Sequence, residues 1–127
     1  MKRTMIFAGL VILVMIMLGS TIQVTASDDV YLTKNPFTES TKVVCELDDP
    51  GFVSLRVYDM AGDLVRVLIQ DTQVVGSHVI HWDGTNDFGT PLGSGLYVYV
   101  FVVFDEGRIR TQKIGAVGIN RWQLQQR

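Results

Sequence analysis

Asp83, Thr85 and Asp87 stand at alternate positions ahead of Gly89, with oxygen donors spaced like the start of a calcium-binding loop. A loop of that kind needs glycine at its sixth position and an acid at its twelfth. Here Phe88 and Ser94 occupy those places. The turn is therefore read as scaffold, in which Asp83 and Asn86 accept hydrogen bonds from amides of their own loop. His78 and His81 lie three residues apart, which on a strand sends them to opposite faces, and no cysteine, third histidine or suitably placed acid completes a zinc site. Ser54, Ser77 and Ser94 sit in strand or turn contexts, with no glycine-flanked elbow and no histidine–acid pairing for nucleophilic catalysis. The glycines open no helix that would cradle a phosphate. These residues point to a chain that is not an enzyme and needs neither metal nor cofactor.

The elements that must position this turn read as strands. His78, Ile80 and Trp82 share one face of a short run, Val79 and His81 the other, and the polar residues from Asp83 to Gly89 separate it from a long apolar run. Gly76 to Phe104 thus carries the strongest short-range hairpin signal in the chain. Trp82, large and at a strand end, is expected in the core, while Gly84, Gly89 and Gly95 punctuate the connection. In the run from Leu96 to Phe104 every position is apolar. Tyr97, Tyr99, Phe101 and Val103 fall on one face, and Leu96, Val98, Val100, Val102 and Phe104 on the other.

Such a strand is either covered on both sides or leaves one adhesive face exposed. If the tyrosine side faces the core, Val98, Val100 and Val102 form a row that is covered either by a protein partner or by the segment from Ile119 to Trp122. The row is taken as the candidate partner surface.

Earlier in the chain, Val43, Cys45 and Leu47 alternate with Lys42, Val44 and Glu46, and Val53, Leu55 and Val57 alternate with Ser54, Arg56 and Tyr58. Asp48-Asp49-Pro50-Gly51 between them reads as the turn of a first hairpin. Leu64 to Ile69 is read as a strand able to hold a bulge, Gln70 to Val75 as a loop, and Arg108 to Val117 as the last strand. Strands spaced by Gly, Pro, Asn and Asp turns, with no helix beyond the amino-terminal segment, define an all-β antiparallel sandwich of about seven strands.

Within the 127 residues, Met1-Lys2-Arg3, the apolar run from Met5 to Leu18 and Val24-Thr25-Ala26 form a secretory signal cleaved after Ala26. The competing reading is an uncleaved anchor, since Met5 to Ile22 gives 18 residues, the low end for a spanning helix. The chain then divides into signal (1–26), polar lead (27–34), sandwich (35–118) and tail (119–127). Removing Lys2 and Arg3 leaves 9 of the 11 basic residues against 13 acids, a charge of about −4 without basic clusters, which gives no attraction to nucleic acid or anionic lipid. Cys45 is the only cysteine, so no internal disulfide forms, and its strand setting suggests a small buried apolar group.

Asn35-Pro36-Phe37, Val57-Tyr58-Asp59 with Gly62 and Leu64-Val65-Arg66, Gly76 through His78 to Trp82-Asp83-Gly84, Asn86 with Gly89, Ser94-Gly95-Leu96-Tyr97 with Tyr99, and Thr111 with Lys113 form an ordered set of motifs. Together they resemble the immunoglobulin-like module at the carboxyl end of the flagellar hook-capping protein and the related terminal modules of secreted bacterial proteins. The resemblance spans Asn35 to Val117 and implies an immunoglobulin-like sandwich with a structural or protein-binding role in the periplasm, at the cell surface or outside the cell. It also brings two alternatives, a hook-assembly scaffold and a sorting module like those on type IX secreted cargo. A protein partner or self-association is expected, and contact with a membrane only if the amino-terminal segment is uncleaved.

Overall fold

The computed structural model describes residues 28–122, so the signal or anchor segment lies outside the described residues. Seven strands run in chain order: β1 (Asp29–Leu32), β2 (Thr41–Leu47), β3 (Gly51–Tyr58), β4 (Leu64–Gln73), β5 (Gly76–Trp82), β6 (Gly95–Asp105) and β7 (Arg108–Ile119). They form a three-stranded sheet in the order β1-β2-β5 and a four-stranded sheet in the order β4-β3-β6-β7, antiparallel throughout.

Alternation decides which side chains meet between the sheets. Val43, Cys45 and Leu47 from β2 face Val53 and Leu55 from β3 and Phe101 and Val103 from β6, all buried. A second cluster at the other end of the sandwich joins Phe37, Val57, Trp82, Tyr97, Val117 and Ile119. Tyr97, near the start of β6, donates its hydroxyl to the carbonyl of Gly93 at 2.8 Å, the corner contact by which an immunoglobulin-like sandwich buries a tyrosine without orphaning its hydroxyl.

Strand positions follow the pattern, but two connections differ from it. The turns at Asp48–Gly51 and Asp83–Ser94 were expected to close hairpins; both instead carry the chain from one sheet to the other, because β2 and β5 belong to the smaller sheet and β3 and β6 to the larger. The apolar faces of β2 and β3 therefore pack against each other across the core. Consecutive strands pair within one sheet at β1–β2, β3–β4 and β6–β7, the last closed by Glu106 and Gly107, both at positive φ (50° and 76°) as in a type I′ turn.

The polar lead also proves structured. Val30 alternates into the core at 6% exposure and β1 pairs with β2 from Asp29↔Glu46 to Leu32↔Val43. Gln70–Gln73, read as loop, continues β4 opposite Gly51–Ser54. Ile119, assigned to the tail, ends β7 and is 3% exposed beside Trp82.

Three bulges bend the larger sheet. The register of β3 against β4 skips Leu68 and Val65, and that of β6 against β7 skips Arg110. Each extra residue re-aims its surroundings, as bulges do: Val65 presents its carbonyl to the amide of Asp87 at 3.0 Å, and Arg110 turns to the edge of β1.

Candidate functional site

The acidic turn spends its oxygens on the chain itself. Asp83 Oδ1 accepts the Thr85 amide at 3.2 Å and the Thr85 hydroxyl at 2.6 Å, and Asn86 Oδ1 accepts the amides of Phe88 at 3.0 Å and Thr90 at 2.9 Å. Asp87 Oδ1 reaches across to the Val67 amide at 3.0 Å, so the loop closes the upper edge of β4. The Thr85 hydroxyl, more than any other contact, holds Asp83 below the usual carboxylate range. His78 turns inward and meets the Val74 carbonyl through Nε2 at 2.6 Å, whereas His81 lies on the outer face opposite Lys42. Burial pushes the Cys45 thiol up to about 12, which leaves no thiolate for chemistry at neutral pH.

Beneath this turn lies a clamp that the sequence did not announce. Arg121 donates from Nε to the Leu92 carbonyl (3.0 Å), from Nη1 to Thr38 (3.0 Å) and from Nη2 to Gly84 (3.0 Å), while its amide meets Ser94 Oγ at 2.8 Å. One guanidinium thus ties both ends of the β5–β6 connection to the β1–β2 connection by its fixed fork of donors. Gly84 has φ +73°, and a Cβ there would stand 2.6 Å from Arg121 Nη2 and 3.2 Å from the Phe37 ring. Gly84→Ala is therefore expected to cost about 2–3 kcal/mol, combining left-handed strain with displacement of the clamp. A urea titration comparing the variant with wild type checks this, and a loss below about 1 kcal/mol would show that the loops yield freely.

The motif Asn35-Pro36-Phe37 has an equally local purpose. Asn35 donates Nδ2 to the Ala116 carbonyl at 2.8 Å and accepts the Gly118 amide on Oδ1 at 2.9 Å, imitating a strand partner with its side-chain amide. Phe37 then bonds Gly118 and Asn120 through its backbone at 3.0 and 2.8 Å. Together they cover the upper edge of β7.

At the opposite end, Asp28 is 2% exposed. Arg110 donates to it from Nε at 2.9 Å and Nη2 at 3.1 Å, the Thr111 hydroxyl donates as well, and the Asp48 amide completes the set at 3.0 Å. Burial alone would raise this carboxyl, but the donors and the charge of Arg110 outweigh it and the pKa is lowered. Arg110 also holds the Asp49 and Pro50 carbonyls. Lys113 meets Asp29 at 2.8 Å and extends the seal between β1 and β7. Among the described residues, no three His, Cys, Asp or Glu converge as metal ligands, and no helix is long and apolar enough to cross a membrane.

The outer face of the larger sheet remains. With Tyr97 and Phe101 inward, Val98, Val100 and Val102 point outward and are half-buried by their sheet neighbours. Register sets Val98 between Tyr58 and Ala116, Val100 between Arg56 and Ile114, and Val102 between Ser54 and Gln112. Leu96 and Ile114 on the same face are 59% and 65% exposed. A shallow depression of about 360 Å³ runs between Phe52, Arg56 and Tyr58 on one side and Val100, Val102 and Phe104 on the other. Arg56 is the one charged side chain on the outward positions of the two middle strands, and its Nη2 is held by Gln70 at 3.2 Å. Within the segment from Ile119 to Trp122, Ile119 enters the core and Arg121 anchors the loops.

These features define an immunoglobulin-like β-sandwich whose loops are occupied in holding themselves together. The family model of the FlgD Ig-like domain matches residues 32–103, and the chain belongs to that family. Among solved structures it is similar to dimeric latent PorU from Porphyromonas gingivalis, with 26% identity and a TM-score of 0.63 over 79% of this chain and 10% of that one. It is also similar in fold to FLGD from P. aeruginosa, with 20% identity and a TM-score of 0.52 over 70% of this chain and 71% of that one. The chain therefore corresponds to about a tenth of the PorU chain. No curated protein matches it by sequence.

Proposed function

We propose that this chain is an exported, non-catalytic immunoglobulin-like module that binds a protein partner in the bacterial envelope, at the cell surface or outside the cell. The observation that carries the reading is the outer face of β3 and β6. There three valines in register, flanked by exposed Leu96 and Ile114, form an apolar surface bearing one charge. On a monomer such a face favours association, and its flat, half-buried side chains suit a protein surface better than a small ligand. The turn that could have carried chemistry uses its oxygens internally, which supports a structural role.

Export rests on the signal-like segment at 1–26. Two alternatives accompany this reading: a hook-assembly scaffold, in keeping with the FlgD Ig-like family, and a sorting module of the type IX kind. The test is Val98→Asp with Val100→Asp in the full chain. Both side chains leave the core untouched, so the fold is expected to survive while co-fractionation with the partner is lost. Unchanged association in a folded variant would remove the outer face from the account.

A further inference from the structure

The edges of the two sheets are treated unequally. The upper edge of β7 is covered by Asn35 and Phe37, and its lower part is tied by Arg110 and Lys113 to the acids of β1. The upper edge of β4 is closed by Asp87, and β1 is only four residues long. β5 is different. It is the last strand of its sheet, it bonds β2 along one side, and its seven residues Gly76-Ser77-His78-Val79-Ile80-His81-Trp82 contain no proline, lysine, arginine or acid. Natural sheets blunt free edges with those residues, with short strands or with a covering segment. Among the described residues, none of these devices protects β5.

An apolar row also leads to that edge. Register aligns Tyr31 on β1 with Val44 on β2 and Val44 with Val79 on β5, all on the outer face. Tyr31 is 45% exposed, Val44 8% and Val79 60%, so the row ends uncovered at the free edge. It is distinct from the Val98–Val102 surface, which lies on the other sheet.

We propose that a second copy of this chain pairs antiparallel along the free edge of β5, about a two-fold axis at Val79, joining two three-stranded sheets into one of six. The register makes this edge complementary to itself. With Val79 opposite its own copy, Ser77 faces His81 and His78 faces Ile80, so no fixed charge meets its like. The pairing keeps each residue on the face it already occupies, because residues directly opposite in an antiparallel ladder point the same way. The apolar row then runs unbroken from one Tyr31 through Val44, Val79 and their copies to the other, and the half-exposed valines cover each other. A closed two-fold contact of this kind stops at two copies. It leaves the Val98–Val102 face of each copy open and doubles the valency of the module toward any partner that displays repeated sites.

The test uses the full chain with its own amino-terminal segment, produced in cells. Directly opposite residues in an antiparallel pair have Cα atoms about 4.5–5.5 Å apart, within disulfide reach. Val79→Cys is therefore expected to give a non-reducing band at twice the chain mass, whereas Ser77→Cys, which faces His81 of the copy, gives at least tenfold less. Cys45 is buried and adds no background. Sedimentation of the protein released from the same cells is expected to show a dimer that Val79→Lys weakens at least tenfold and Val79→Thr leaves within about threefold. Position 79 is exposed, so each variant is expected to keep its fold, which the far-ultraviolet circular dichroism and a cooperative urea transition verify. A wild-type monomer at every concentration, a Val79→Cys adduct of any other mass, or a dimer indifferent to Val79→Lys would overturn the proposal.

Discussion

Trp82→Ala is expected to lower the unfolding free energy by about 4 kcal/mol, within the range seen when a buried tryptophan is truncated. The indole is 1% exposed, packs edge-on against Phe37 with ring centroids 5.3 Å apart at 62°, and donates Nε1 to the Thr85 carbonyl at 3.0 Å. Truncation opens a cavity among Val57, Tyr97, Val117 and Ile119 and leaves the Thr85 carbonyl without its indole donor at the base of the acidic turn. A domain of this size has about 5–10 kcal/mol in all, so the variant is close to unfolded at 37 °C. Trp82→Phe keeps most of the volume and is expected to lose about 1–2 kcal/mol. Urea denaturation followed by circular dichroism measures both, and a loss below about 2 kcal/mol for the alanine variant would mean that the second cluster is not one cooperative unit.

The next largest effect is assigned to Asp28. Asp28→Ala leaves Arg110 facing an empty position and is expected to cost about 3 kcal/mol at neutral pH, as removing one partner of a buried pair does. The sign of the pH dependence follows from the lowered pKa. A carboxyl held below its ordinary 3.8 in the folded chain binds its proton more readily when unfolded. Its contribution is therefore complete above the ordinary value and is lost as the pH falls through the folded one. The difference between wild type and Asp28→Asn should be constant from pH 7 to 5 and shrink below about pH 4. Denaturation midpoints across that interval test this, and a difference that stays flat to pH 2.5 would place the stabilisation in packing and not in the charge.

Much of this fold was legible because alternation is a local property. Val53, Leu55 and Val57 declare an inward face whatever they pair with, and all three are fully buried. Pairing was not legible in the same way. The residues Asp48 to Gly51 and Asp83 to Gly89 are good turn formers, but the chemistry of a turn is the same whether the chain reverses within one sheet or crosses to the other. Loop length was the better clue for the second of these, since the twelve residues from Asp83 to Ser94 exceed a tight hairpin.

Long-range partners were the other limit. Asp28 reads as part of a polar lead until Arg110, 82 residues away, is seen to meet it. Arg121 sits in an aperiodic tail, and its acceptors are backbone carbonyls, which leave no trace in side-chain identity. The free edge of β5 was invisible for a related reason, because a strand is known to be an edge only when the sheet order is known.

The role of the outer face of β3 and β6 is read out by introducing Val98→Asp and Val100→Asp together in the full chain within its native host. On the proposed reading wild type is retained in the envelope or surface fraction, and the variant is expected to keep a cooperative urea transition yet to separate from that fraction. A folded variant that remains in that fraction to the same extent as wild type would show that this face does not hold the module to a partner.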